Sequence, residues 1–254
     1  LISILSGSKY QIGGPTGAFV IIIYGIIVRH GYQGLAAATI LAGLFLIIFG
    51  LMRLGTYIKY IPQPVTTGFT TGIAVLIFST QIKDFFGLNI QKVPSEFIEK
   101  WESYAHHINT INPVVLIIGV ITVATIITIR KIYPRIPAHF VAIFLVCVIT
   151  WYLGLDIETI GSKFGGIPSK LPHFAIPDGL SIKLFRAVLP DAITIALLAA
   201  IESLLCAVVA DAMTGDKHYS NTELVGQGVA NLGSVFFGGI PATGAIARTA
   251  TSIK

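Results

Sequence analysis

Five stretches of this 254-residue chain contain no Asp, Glu, Lys or Arg: 33–52, 60–82, 111–129, 136–155 and 224–247. Each approaches or exceeds the roughly 18 to 20 apolar residues that carry a helix across about 30 Å of hydrocarbon. Only 11% of the residues are charged and the mean hydropathy is +0.82, whereas a soluble domain carries roughly 25% charge. There is too little charge here to clothe a soluble surface. The pattern predicts an all-α polytopic protein of the cell membrane, with the lipid bilayer as its solvent.

The remaining charge sets orientation. A net charge of +5 and a pI near 9.2 would point to nucleic acid in a soluble protein, but here Lys and Arg sit in loops between spans, and no nucleic-acid partner is expected. "RKIYPR" carries Arg130, Lys131 and Arg135 and no acid, which places it in the cytoplasm. Counting outwards puts 83–112 and 154–183 outside, and Arg53, Lys59 and the 214–218 loop inside; Arg29 falls outside, against the rule. Cys147 and Cys206 both lie within predicted spans, and no Cys/His spacing matches a metal site, so no disulfide, metal or cofactor is expected. The opening "LISIL" has no Met and no basic n-region, so it is not read as a signal peptide. It opens inside an apolar segment and the chain stops just after "RTATSIK", which reads as a fragment of a longer polypeptide.

An extended piece around Tyr10–Gly13 is expected, then helices or spans over about 15–28, 34–52, 64–82, 113–129, 137–153, 187–212 and 221–237, with a last half-helix from Thr243–Gly244. Gly68 and Gly72, four apart in the third of these, predict close approach of another helix.

Two segments break these rules in the same way. "QIGGPTGAF" (11–19) and "GGIPATGAIAR" (238–248) each place Gly-Gly, Pro and Thr-Gly-Ala beside an apolar run. Unwound backbone cannot face lipid, where each unsatisfied N–H or C=O costs several kcal/mol; paired helix breaks mark a transporter's binding site. A helix start offers up to four free N–H groups and about +0.5 of charge, so two starts aimed at one point make an anion site without an obligatory cation. Pro15 suits the first helical position, where its missing N–H costs nothing. Gly17 and Gly244 let a ligand approach the backbone, and Thr16 and Thr243 add hydroxyls.

Glu202 falls midway along 187–212. An acid at a helix centre costs about 3 kcal/mol to insert, and such residues mark ion or proton paths; Glu202 is the candidate coupling carboxylate. Arg248, four residues beyond Gly244, lies one turn along the same face. It either supplies charge that a divalent anion needs or snorkels at the interface. Asp191 and Asp211 read as interfacial, and His139 as structural or interfacial.

"QIGGPTGAF", "IPQPVTTGFTTGIAVLIF", "IESLLCAVVAD" and "ELVGQGVANLGSVFFGGIPATGAIARTAT" resemble the SulP family of sulfate permeases and related anion transporters, and the likeness covers essentially the whole chain. It implies part of a fourteen-segment fold of two inverted seven-segment repeats, here running from the end of segment 2 to the first turns of segment 10, usually followed in the full protein by a STAS domain. Residues 1–56 and 184–254 would belong to a core domain and 57–183 to a gate domain. By the same likeness the anion sits between half-helices 3 and 10, with Pro15, Thr16 and Gly17 on one side and Gly244, Ala245 and Ile246 on the other. Glu202 matches the segment-8 acid. Sodium-coupled bicarbonate members carry Asp there with Thr one turn later, whereas this chain has Glu202 and Cys206. A thiol is a poor ligand for a hard cation, which favours proton coupling.

The expected function is secondary active transport of a sulfate-like oxyanion by proton symport and an elevator-type motion, in a full-length homodimer. The alternatives are a bicarbonate or dicarboxylate transporter, or an exchanger or channel on the same scaffold. An enzyme is not expected, since no Ser/His or paired-Asp arrangement lies at membrane depth.

Overall fold

The computed structural model describes residues 1–60, 63–91, 93–94, 96–133, 136–155, 157–166 and 172–253. Ile61 and Pro62 of the quoted motif, and Arg135 of the basic loop, lie outside them. In chain order the elements are α1 (Ile2–Leu5), β1 (Gly13–Gly14), a 3-10 turn (Gly17–Phe19), α2 (Val20–Leu51), a 3-10 stretch (Leu54–Tyr60) and α3 (Gln63–Phe86). Then come α4 (Phe97–His106), α5 (Pro113–Ile132), α6 (Ala138–Tyr152), α7 (Ile160–Phe164) and α8 (Ile182–Ala187). The chain ends with α9 (Leu189–Thr214), α10 (Ser220–Phe236), β2 (Thr243–Gly244) and α11 (Ile246–Ile253). Among the described residues three helical stretches are long and apolar enough to cross a membrane, Ile22–Leu51, Pro113–Ile132 and Leu189–Thr214, and α6 is a shorter apolar helix. Contacts divide the chain into two compact units, Leu1–Ala74 with Leu171–Lys254, and Val75–Lys170.

In the first unit α2 is two arms rather than one rod, because Gly31 sits at φ 66° and ψ −173° inside it. The arms run in opposite directions along α9. Thr16 lies beside Glu202, at the middle of the 26-residue α9; Arg29 reaches Asp191 near the start of α9 at 2.8 Å. Gly34 lies against Val188, and Gly55, beyond the second arm, meets Ser220 past the end of α9. The first arm therefore starts beside the middle of α9 and runs about 20 Å toward its first turn, from Gly17 to His30, and the second returns the full length. The two helices expected over 15–28 and 34–52 are these arms. The Asp191 pair also accounts for Arg29, the cation that disagreed with the orientation rule: its charge is matched locally.

Phe19 of the 3-10 turn and Ile26, Leu35, Ala38 and Leu46 from α2 close on Val188, Ala192, Ile195 and Ala199 at α9 and on Leu224 of α10. Without water to drive burial, helices in lipid associate through close packing of small residues. Ala192, Ala196, Ala199, Ser203, Ala207 and Ala210 supply such a stripe on α9, all buried. At the crossing of α2 and α10 a Cβ on Gly43 would lie 2.9 Å from the Gly228 carbonyl oxygen, and one on Gly228 would lie 2.6 Å from that of Gly43. Among the described residues a Cβ on Gly68 or Gly72 meets nothing within 4 Å. Pro190 in the first turn of α9 and left-handed Gly215 after its last turn bound the helix.

In the second unit Asn112 caps α5, accepting the Val114 and Val115 N–H groups at 3.0 and 3.4 Å, with Pro113 at the head of the helix. The stretch 83–112 contains α4, whose Tyr104 hydroxyl donates to the Ser79 carbonyl at 3.0 Å. Lys163 bridges Asp84 at 3.1 Å and Glu158 at 3.2 Å; the hydrogen bond to Asp84 holds its ammonium above the usual range. Lys100 is 4% exposed, and burial pushes its ammonium down.

Two outcomes are expected. At Gly31 an added Cβ meets nothing within 4 Å, so Gly31→Ala acts only through backbone strain and costs about 1–3 kcal/mol, read as a lower unfolding midpoint in detergent. Replacing Lys100 with Met removes a desolvated charge while keeping the aliphatic stem, and raises that midpoint; an unchanged or lower midpoint contradicts the account.

Candidate functional site

The two Gly-Pro turns meet. Gly13 pairs with Gly244 and Gly14 with Thr243 in an antiparallel bridge, β1 against β2. The Ala245 N–H donates to the Ile12 carbonyl at 2.8 Å, and the Ile12 N–H donates to the Thr249 hydroxyl at 3.0 Å. Both unwound segments lie against the middle of α9: the Thr16 hydroxyl donates to Glu202 at 3.1 Å, and the Gly244 N–H donates to the Ser203 hydroxyl at 3.0 Å. Adjacent residues of α9 point about 100° apart, so Glu202 serves the first turn and Ser203 the second.

The helix starts differ from expectation by about two residues on each side. Thr16 is the N-cap and Gly17 the first helical residue, so Pro15 precedes the helix instead of occupying its first position. Thr243 and Gly244 form β2, and α11 begins at Ile246. The reason is the availability of partners. The Thr243 hydroxyl lies 2.9 Å from that of Ser203 and donates to the Ala199 carbonyl at 3.1 Å, and a Cβ on Gly244 would fall 1.9 Å from the Gln11 Nε2. Gly244 thus admits Gln11 rather than a ligand. The accessible rim is formed by Pro15 and Gly17 on one side and Ala247 and Arg248 on the other, with Thr16 and Ile246 half-buried and Ala245 buried behind them.

Arg248 Nη2 donates to the Pro15 carbonyl at 3.0 Å, tying one turn to the other. Cys206 is buried with its Sγ 3.2 Å from the Thr249 hydroxyl. Asp211 accepts from the His218 ring at 2.7 Å and from its N–H at 3.1 Å at the end of α9, and His139 is exposed in the first turn of α6. A cavity of about 330 Å³ borders Gly13, Ala230, Gly233 and Ala242, behind the turns, and does not reach Thr16 or Glu202. Among the described residues no group of three His, Cys, Asp or Glu side chains could hold a metal ion.

Sequence reasoning missed Gln11, whose Nε2 donates to the Ser203 carbonyl at 3.2 Å, and also Ser203 and Thr249. It missed Glu223, Gln227 and Asn231 as well, although their spacing of four along an otherwise apolar helix was a signal to be found.

The whole chain, residues 1–254, matches the sulfate permease family. It is 46% identical to "Putative sulfate transporter YvdB" of Bacillus subtilis over 254 residues, covering 100% of this chain and 48% of that protein. It is 32% identical to bicarbonate transporter BicA of Synechocystis sp., covering 99% of this chain and 45% of that one. Among solved structures, the transmembrane domain of a cyanobacterial BicA superposes with a TM-score of 0.83 at 31% identity, over 100% of this chain and 66% of that one. The overall structure of SLC26A9 gives 0.81 at 17% identity, over 98% of this chain and 43% of that one, a likeness of fold. The chain spans about half the length of the relatives it matches. With its mid-depth turns and its full-length match, this multi-pass membrane chain belongs to the sulfate permease family.

Proposed function

We propose that this chain carries both walls of the anion site in a secondary active transporter that moves a sulfate-like oxyanion together with a proton. The observation that carries the reading is the hydrogen bond from Thr16 to Glu202, which joins the acid at the centre of α9 to the N-cap of the first half-helix. Thr16, Gly17 and Ile246 line the anion's place at the accessible rim, and Arg248 adds a full charge beside it.

The charge count gives the coupling. Two helix starts supply about +1 together and Arg248 a further unit. An ionised Glu202 cancels one of these and engages the Thr16 hydroxyl. At an effective dielectric of about 20, a carboxylate about 6 Å from a unit anion repels it by about 3 kcal/mol, more than a hundredfold in affinity. Protonating Glu202 removes that repulsion, frees the hydroxyl for the anion and leaves about +2 to face a divalent ligand. By linkage the bound anion favours the proton equally, so the two travel together. Cys206 and Thr249 face each other beside Glu202, and a thiol there favours a proton over sodium.

The core, residues 1–56 and 184–254, holds the site and moves against the gate, residues 57–183, within a full-length homodimer. Contacts group both turns and α9 in one compact unit, in keeping with a core, although that unit runs to Ala74 and resumes at Leu171. A bicarbonate substrate is the second reading, favoured by the likeness to the BicA transmembrane domain. A dicarboxylate, or exchange or channel conduction on the same donors, is distinguished by the same assay.

The test is labelled-sulfate uptake by the full-length protein in proteoliposomes, with bicarbonate and dicarboxylates as competitors. Uptake is expected to saturate, to rise with an inward proton gradient and to ignore sodium. Glu202→Gln is expected to abolish gradient-driven accumulation and flatten the pH profile; a wild-type rate with an unchanged profile refutes the coupling role. Thr16→Val removes one hydrogen bond to a charged ligand, worth about 1.5–3 kcal/mol, so KM rises about tenfold or more.

A further inference from the structure

Three polar side chains, Glu223, Gln227 and Asn231, recur every fourth residue along one face of α10, and all are 0% exposed. Asn231 grips Ala242 as a neighbouring strand would: its Nδ2 donates to the Ala242 carbonyl at 2.8 Å, and its Oδ1 accepts the Ala242 N–H at 2.8 Å. The same Nδ2 donates to the Gln227 carbonyl at 2.8 Å. Gln227 Nε2 donates to Glu223 Oε1 at 3.0 Å. The other Glu223 oxygen accepts the Ser6 hydroxyl, and also the Gly7 N–H at 3.0 Å.

Hydrogen bonds therefore run from Ser6 and Gly7, on the approach to the first turn, through Glu223 and Gln227 to Asn231 and Ala242, on the approach to the second; the link from Gln227 to Asn231 is made by the Gln227 carbonyl, while its buried Oε1 has no partner among the described residues. Packing alone does not call for it, since the Gly43–Gly228 crossing already seats α10 on α2. Buried polar groups are costly unless paired, and here Glu223 and Asn231, at the two ends of the row, each hold one of the segments feeding the site. Ala242 directly precedes β2, so its register decides whether Gly244 meets Ser203 and Gly13. Thr16, Glu202 and Arg248 take other partners.

We infer that the Glu223–Gln227–Asn231 edge of α10 is a positioning device: it sets the depth and spacing of the two turns, and so the affinity and size of the anion that fits, without touching the anion. The claim about the turns rests on geometry alone, and the claim about the anion rests on the transporter reading above. A shift of about 1 Å in an oriented site costs as much as a hundredfold in function.

The test uses the full-length protein, in detergent for hydrogen exchange and in proteoliposomes for uptake. Asn231→Ala is expected to speed amide exchange about tenfold or more in both 240–247 and 10–16. It is expected to raise the sulfate KM about tenfold with Vmax per folded molecule within about twofold, and to reorder inhibition by selenate, bicarbonate and chloride. Glu223→Gln is expected to act in the same direction more weakly while keeping the wild-type pH profile, as a positioning group does and a coupling acid does not. Faster exchange confined to 240–247, or a KM and inhibitor order unchanged in a folded variant, overturns the inference and leaves the transporter reading standing. If the wild type takes up no sulfate, the transporter reading falls, and exchange alone supports or overturns the claim about the turns. Should Asn231→Ala not fold, Ser6→Ala, which deletes one hydroxyl, carries the same measurements, with a KM rise of about threefold supporting the inference and an unchanged KM overturning it.

Discussion

The two-rung pairing of Gly13 and Gly14 with Gly244 and Thr243 is the interaction on which the rest of the structure depends. A chain that leaves its helix inside hydrocarbon exposes N–H and C=O groups at several kcal/mol each. Neither turn supplies its own partners. Each provides some of those of the other, Ser203 of α9 accepts the Gly244 N–H, Asn231 of α10 takes both backbone groups of Ala242, and Arg248 and Thr249 take the Pro15 carbonyl and the Ile12 N–H. The half-helices are therefore a pair by construction: one cannot be placed at mid-depth while the other is missing. Once the strand-like residues are satisfied, the first N–H groups of the following turns remain for whatever enters the rim.

This constraint explains the division of labour along α9. Its small residues let α2 and β2 approach closely, and the polar residues interrupt that stripe where the turns arrive. Ser203 is absorbed by structure, as acceptor for the Gly244 N–H and neighbour of the Thr243 hydroxyl. Glu202, one residue earlier, faces Thr16 and is 8% exposed. Cys206, one turn on, is closed off by Thr249. A helix mostly of Ala, Leu and Ile thus carries three polar groups on neighbouring faces.

Much of this was legible before any coordinates. Charge-free runs locate spans because hydrocarbon excludes ionised groups, and the matched Gly-Pro turns and Glu202 stand out as violations of that rule. What did not show was anything that depends on the identity of a distant partner. Thr243 and Gly244 looked free because Ser203, an unremarkable helix residue in sequence, is what occupies them. Gly68 and Gly72 have the spacing of a helix contact, yet Gly43 and Gly228, far apart in the chain, form the crossing. Small-residue spacing says that a helix can be approached, not that another arrives. Glu223, Gln227 and Asn231 were overlooked for a different reason: attention to single charges passed over a stripe whose meaning lies in its period of four.

The same physics bears on how such a site is switched. A pocket lined by several lysines or arginines holds an anion through full charges, and one carboxylate changes that balance little. Helix starts contribute about half a charge each, fixed in direction by backbone that Asn231, Ser203 and the strand pairing hold in place. On the transporter reading proposed above, where Arg248 adds one full charge, a single proton on Glu202 is comparable with each fixed contribution. It also acts at short range, because Thr16 is hydrogen-bonded to the acid and caps the helix at once. If the turns drifted, the half-charges would no longer converge.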